Sequence, residues 1–169
     1  MTFKEFNDVS GECNAQALFS HRRFWRDDLV LDESHDLKAS HKSTGGALTI
    51  IEVLQAPGRA APWHVHRRED EMFYVLDGEV LFKCGDELVQ GQPGSFVFLP
   101  RDIPHSYKNV GDTTARWLIL TTPAGAEGFS RDSGTPALED CIRSQPLDPR
   151  RFTAVAARYR IEILGPPPF

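Results

Sequence analysis

Cysteine is scarce: Cys13, Cys84 and Cys141 are odd in number and contain no CxxC pair, so neither a disulfide framework nor a thiolate zinc site is expected. Long apolar runs are missing as well. The longest are about six residues, against the roughly 20 that a membrane-spanning helix needs, so no crossing of a bilayer is expected. Positive charge is not clustered, and 19 Lys and Arg against 24 Asp and Glu leave a net charge of −5, which argues against a nucleic-acid partner. Residues 1–20 carry Lys4, Glu5, Asp8 and Glu12 and no apolar core of signal-peptide length, so a cytoplasmic location is expected.

What is present suits one folded domain: 169 residues, 40% hydrophobic and 25% charged, with 12 prolines and 13 glycines as punctuation. From about residue 23 to 122 short apolar runs alternate with glycine, proline and acidic residues, the pattern of many short antiparallel strands. Strands are expected at 28–31, 47–54, 71–76, 79–83, 95–99 and 116–121. Asp77-Gly78 between two such runs predicts a hairpin pairing Tyr74–Leu76 with Glu79–Leu81, and further turns fall at Cys84-Gly85-Asp86 and Gly91–Gly94, so the middle of the chain reads as a β-meander. Thr135-Pro136 and Asp148-Pro149 each place a capping side chain before a proline and predict two helix starts. In the second, Phe152, Val155, Ala156 and Tyr159 form a stripe suited to packing on the outside of a barrel. Gly165-Pro166-Pro167-Pro168 fits neither regular helix nor central strand.

The chemistry-bearing segment begins at Gly58. Five residues on come His64, Val65 and His66, then four more residues and Glu71, then six and Gly78. Histidines at i and i+2 of a strand share one face, and a glutamate opening an adjacent strand reaches the same point, so three metal ligands converge. Later come Gly94, five residues, Pro100, one residue, Asp102, two residues, His105, three residues and Asn109. His105 opens another alternating stretch and is placed to supply a fourth ligand. His21, His35 and His41 lie in polar surroundings outside these patterns and are expected at the surface.

These spacings resemble the two motifs of the cupin superfamily: the first matches at all five positions and the second at four of five. Asp102 is the departure, standing where the pattern has glycine; Asp tolerates the positive φ that such a turn needs, so the turn is expected to survive. The resemblance implies an all-β cupin fold, a small barrel or jelly roll of two antiparallel sheets, with C-terminal helices packed outside. The expected division is an N-terminal arm (1–22), the barrel with its metal site (23–125) and a helical extension ending in a Pro-rich tail (126–169).

It also implies a divalent transition metal on His64, His66, Glu71 and His105. Such a donor set suits Fe, Ni, Co, Mn, Cu or Zn, and four ligands leave one or two positions open on an ion that accepts five or six. The chain looks similar to bacterial quercetin dioxygenase-like cupins. That likeness implies an oxygenase acting with O2 on a flavonol or another aromatic or enolic small molecule, with Glu71 taking the substrate's hydroxyl proton. Trp63, Phe73 and Phe98 are the expected sandwich for a flat ring, and Phe73 and Val75 should line the cavity beside Glu71. A non-redox polyketide cyclase, isomerase or lyase, and a non-catalytic binding cupin, are the alternatives. Single-domain cupins often pair through their sheets, so a homodimer is expected.

Overall fold

The computed structural model describes residues 24–27, 33–136 and 148–169. Twelve strands and two helices follow one another among them: β1 (Phe24–Asp27), β2 (Glu33–Ala39), β3 (Thr49–Gln55), β4 (Trp63–His66), β5 (Asp70–Asp77), β6 (Val80–Cys84), β7 (Glu87–Gly91), β8 (Phe96–Leu99), β9 (His105–Asn109), β10 (Ala115–Thr122), α1 (Glu127–Ser133), β11 (Thr135–Pro136), α2 (Pro149–Arg158) and β12 (Ile161–Gly165). They make a seven-stranded sheet, order β11-β1-β2-β3-β10-β5-β8, and a five-stranded one, order β12-β4-β9-β6-β7. Every named pairing is antiparallel. The two sheets face each other as a jelly roll. The expected strand at 28–31 lies outside the described residues.

Alternation builds the core between the sheets. Val53 of β3, Phe73 and Val75 of β5, Trp117 of β10, and Val80 and Phe82 of β6 are fully buried, while their sequence neighbours face outward or sit half-buried. Phe73 touches Phe82 and Tyr107 with ring centroids 5.0 and 5.1 Å apart, and Tyr107 meets Trp117 edge-on at 5.5 Å. This layer of aromatics joins the sheets and closes the barrel below the open end where polar side chains gather. On the outer face of the larger sheet, Tyr74 lies opposite Phe96 and Met72 opposite Phe98, leaving three aromatic rings exposed.

The Asp77-Gly78 hairpin is not formed. β5 pairs with β10 and β8, whereas β6 pairs with β9 and β7, so the two residues carry the chain from one sheet to the other. With glycine in its second position, the tight hairpin turn (type I′) needs positive φ at both central residues. Only Gly78 has it, at +81°, while Asp77 stays in β5 opposite Arg116. A Cβ at Gly78 would lie 2.7 Å from the Ala115 Cβ, so the corner also needs the missing side chain. The meander fails for the same reason, since most sequential strands belong to different sheets. The two-residue turn Gly85-Asp86 does form, bringing Cys84 opposite Glu87.

Thr135-Pro136 does not start a helix. Gly134 ends α1 in extended conformation, and Thr135 and Pro136 pair with Arg26 and Trp25 at a sheet edge, where proline's missing N–H is harmless. α2 starts as the sequence indicates: Asp148 accepts a hydrogen bond from the Arg150 N–H at 2.9 Å and Pro149 opens the helix. Its buried stripe is Phe152, Val155 and Ala156, and Phe152 packs on Phe129 of α1 at 5.3 Å. The helices lie outside the sheets, and their inner sides close over the open end of the barrel. After α2, β12 returns as an edge strand beside β4. Among the described residues no helix is long and apolar enough to cross a membrane.

Asp102 adopts φ +66° as the turn requires; its N–H donates to the His66 carbonyl at 2.8 Å and its carboxylate accepts from Arg67 at 3.2 Å. Asp102→Gly is expected to leave the urea midpoint nearly unchanged, whereas Asp102→Val, β-branched at positive φ, should cost about 1–3 kcal/mol. Gly78→Ala should destabilise on the same scale, because strain and the Ala115 contact add; equilibrium unfolding of the three variants measures this.

Candidate metal centre

His64 and His66 stand two residues apart on β4 and so share its inner face. His105 opens β9 directly opposite His64, in a cross-strand pair. Glu71 comes from β5 in the facing sheet, not from a strand adjacent to β4 as the sequence suggested. The four side chains are buried, His64 to 7%, His66 to 4%, Glu71 to 5% and His105 to 0% exposure, and one donor atom from each lies within 4.8 Å of all the others. His64 and His105 approach with ring centroids 4.5 Å apart, and the His66 ring stacks at 5.5 Å from that of His105.

Hydrogen bonds behind the rings set their orientation. His64 Nδ1 lies 2.8 Å from the Pro62 carbonyl and His105 Nδ1 2.9 Å from the Ile103 carbonyl. A carbonyl only accepts, so both Nδ1 atoms carry the hydrogen and both Nε2 lone pairs face the cluster. His105 Nε2 and Glu71 Oε2 lie 3.2 Å apart, yet neither has a hydrogen-bond partner. Lone pairs buried without donors and aimed at one point are costly unless a cation sits there, so the donor set fits a divalent transition metal.

Electrostatics agree with that fit. Burial, then the neighbouring His105 and His66, lowers His64 from 6.5 to about 3, keeping it in the neutral form that coordinates. Burial alone would raise Glu71, but the neighbouring imidazoles of His66, His105 and His64 outweigh it and lower the carboxyl to about 2. For His66 burial pulls downward, and Glu71 and Glu69 together overcome it and raise the pKa.

Glu69 was not foreseen. It is buried to 1%, its Oε2 lies 3.8 Å from His66 Nδ1, and its Oε1 accepts from Arg68 at 2.9 Å. Arg68 also donates to the Ala124 carbonyl, and a Cβ on Gly125 would collide with its guanidinium. The available signal was parity, since Glu69 is two residues before Glu71. Thr121, opposite Glu71 on β10, was missed too, although the alternation of β10 turns it inward.

Above the ligands opens a cavity whose empty space, counting its solvent-open mouth, is about 590 Å³. Ile51, Ile119, Phe129, Phe152, Ile161 and Ile163 give it apolar walls, and Tyr107, Thr121, Ser130 and His35 join the lining. None of the four residues expected around the substrate, Trp63, Phe73, Val75 and Phe98, lines it. Phe98 is 52% exposed on the outer face because Val97 and Leu99 take the inner one. Trp63 has the opposite parity from His64 and His66 on β4 and is half-buried. Phe73 and Val75 do share the inward face of Glu71, but they are fully buried in the core cluster. His35, expected at the surface, is 7% exposed and lines the cavity; His41 is exposed, and His21 lies outside the described residues.

The profile of the Cupin domain family matches residues 51–121, the stretch that carries all four ligands. A predicted oxalate decarboxylase from Thermotoga maritima superposes with a TM-score of 0.52 at 21% identity, covering 59% of this chain and 90% of that one. KdgF from Halomonas sp. gives 0.51 at 19%, covering 56% and 83%. Residues 51–121 are a Cupin domain. Among curated proteins it is 29% identical over 108 residues to quercetin 2,3-dioxygenase of Bacillus subtilis strain 168, covering 64% of the chain and 32% of that protein. It is 26% identical over 96 residues to polyketide synthase CurC of Streptomyces cyaneus, covering 56% and 62%. The cupin chain therefore spans less than two thirds of each of these relatives.

Two measurements check the centre. His105→Ala is expected to cut bound metal per chain to a small fraction while circular dichroism remains that of a sheet protein. In the metal-free protein, stability should fall on acidification: the unfolded chain binds more protons than the folded one between 6.5 and about 3 at His64, and between 4.5 and about 2 at Glu71. His66 acts oppositely, but its contribution is complete below 6.5 and constant there, so the decline is unopposed. Urea midpoints between pH 6.5 and 4.5 should drop, and a flat profile would contradict the assignment.

Proposed function

We propose that this cupin is a metal-dependent dioxygenase acting on a flavonol or a similar aromatic enol, with His64, His66, Glu71 and His105 holding the ion. The observation that carries this reading is a ligand set at the base of an apolar cavity in which the one carboxylate, Glu71, keeps an oxygen without a hydrogen-bond partner. A divalent transition metal bound there supplies a Lewis acid that acidifies a substrate hydroxyl and, when redox-active, a route to O2.

The chain's own residues do the rest. Glu71 is ionised at neutral pH, so its Oε2 can accept the proton of a hydroxyl brought within reach. The electron-rich enolate left behind is the form that reacts with oxygen. Ile51, Ile119, Phe129 and Phe152 keep water from that enolate and offer flat contacts to an aromatic ring. The backbone carbonyls of Pro62 and Ile103 hold the two imidazoles fixed while the proton moves. The similarity to quercetin 2,3-dioxygenase supports this substrate class.

The similarity to polyketide synthase CurC favours a second reading, in which the same centre polarises a carbonyl for cyclisation without consuming oxygen. A non-catalytic binding role keeps the cavity and predicts no turnover of either kind. The exposed Tyr74, Phe96 and Phe98 on the larger sheet support pairing of two copies across that face.

Glu71→Gln keeps the volume and an oxygen but cannot take a proton at neutral pH. As general base, Glu71 should leave a variant that retains much of its metal and loses roughly 10²-fold or more in rate per bound metal. O2 uptake recorded beside loss of a flavonol separates the readings: substrate loss without uptake selects cyclisation or isomerisation, and a near-normal rate per metal removes Glu71 from the chemistry.

A further inference from the structure

The cavity lining carries a second polar array besides the metal ligands. Ser130 Oγ of α1 lies 3.0 Å from His35 Nδ1 of β2, and His35 Nε2 lies 2.9 Å from Glu33 Oε2. Glu33 also accepts from Gln55 Nε2 and from the Tyr107 hydroxyl. All three members are more than nine-tenths buried: Glu33 is 2% exposed, His35 7% and Ser130 8%. A carboxylate accepts, so Nε2 carries its hydrogen toward Glu33 and Nδ1 accepts from the Ser130 hydroxyl. A hydroxyl, a base and a group that orients the base thus stand in series. His35 and Ser130 also line a second cavity bounded by Ser40, Lys42, Glu127 and Arg131, so they form part of the partition between the metal cavity and that outer space.

We propose that Ser130, backed by His35 and Glu33, is a second anchor of the site, taking a remote hydroxyl of a ligand whose first oxygen is held at the metal centre. The ligand class is then a polyhydroxylated aromatic, with an oxygen at each end of a flat apolar body. This anchor rests on the aromatic-enol reading of the same cavity and narrows it. The intervening walls are apolar, so a ligand without the second hydroxyl leaves Ser130 without an outside partner, the situation in which hydrogen-bonding sites discriminate most strongly. The series also moves a proton. As the ligand's O–H bond breaks, its hydrogen passes to Ser130 Oγ while the hydrogen of Ser130 passes to His35 Nδ1. A ligand oxyanion and an imidazolium facing Glu33 result, and the reverse transfer restores the start.

The test uses zinc-loaded protein without oxygen, so that binding is read apart from turnover. Affinities are measured for 3-hydroxyflavone and for its 7-hydroxy and 4′-hydroxy derivatives. At least one derivative should bind about tenfold tighter than the parent, the scale of one buried hydrogen bond. Ser130→Ala should abolish that preference, and Ser130→Thr should restore it. Absence of any preference, or a preference that survives Ser130→Ala, overturns the anchor. Should no flavone bind at all, the flavonol reading falls, and phenol decides the anchor separately. Phenol, and not toluene, should shift the ring ¹⁵N resonances of His35 in the wild type and leave them unmoved in Ser130→Ala; no shift in the wild type overturns the anchor too.

Discussion

Four groups that water would otherwise solvate are buried against one another, and the upper half of the barrel is arranged around that constraint. Three imidazoles come from the smaller sheet and one carboxylate from the larger, so the cluster holds only while the sheets keep their spacing. The aromatic layer of Phe73, Phe82, Tyr107 and Trp117 beneath it supplies that spacing. The cupin barrel thus separates two tasks by depth: an apolar lower layer fixes the distance between the sheets, and a polar upper layer uses it. A substitution in the lower layer reaches the candidate metal centre through that distance even though it touches none of the four side chains.

The polar groups away from the ligands follow the same logic of satisfaction. Gln55, buried to 0%, donates to Glu33 and receives the Asn109 N–H, while Asn109 donates to the Gln55 and Thr113 carbonyls. Asn109, the last residue of the second motif, therefore ties β9 to the end of β3 and serves the frame, and it is absent from the cavity lining. Through Gln55 and Glu33 the same network reaches His35, so the second polar array is held as firmly as the ligands. Buried networks of this kind are stable when every member is paired, and of the seven buried side-chain atoms without a partner among the described residues, four, at Glu71, His105, His66 and Glu69, gather at the candidate metal centre, the others being at Asp36, Trp117 and Thr121.

Much of the site was legible because a strand has period two. His64 and His66 had to share a face, Glu71 began an alternating run, and Asp102 could hold a positive φ, so local rules sufficed for each. Parity also explains two of the misplaced ring contacts: Phe98 sits between inward Val97 and Leu99, and Trp63 is one residue from His64. Phe73 and Val75 obeyed parity and still failed, because an inward side chain becomes core or cavity wall according to its height in the barrel. His35 escaped for a different reason. Its neighbours in sequence are polar, and only the folding of α1 over the barrel mouth brings Ser130 to it across 95 positions.

By itself the sequence determined the strand-rich architecture, the four residues that gather as a candidate metal cluster and the start of α2, since each depends on residue type, period and short spacing. Tertiary structure decided which strands pair, which inward residues meet the cavity, and what stands behind the ligands. Asp77-Gly78 illustrates the division: the dipeptide specifies a sharp change of direction, but whether the chain turns back on itself or crosses to the other sheet depends on Ala115, which packs against Gly78 from β10. Contacts of that kind are non-local, and local spacing carries no information about them.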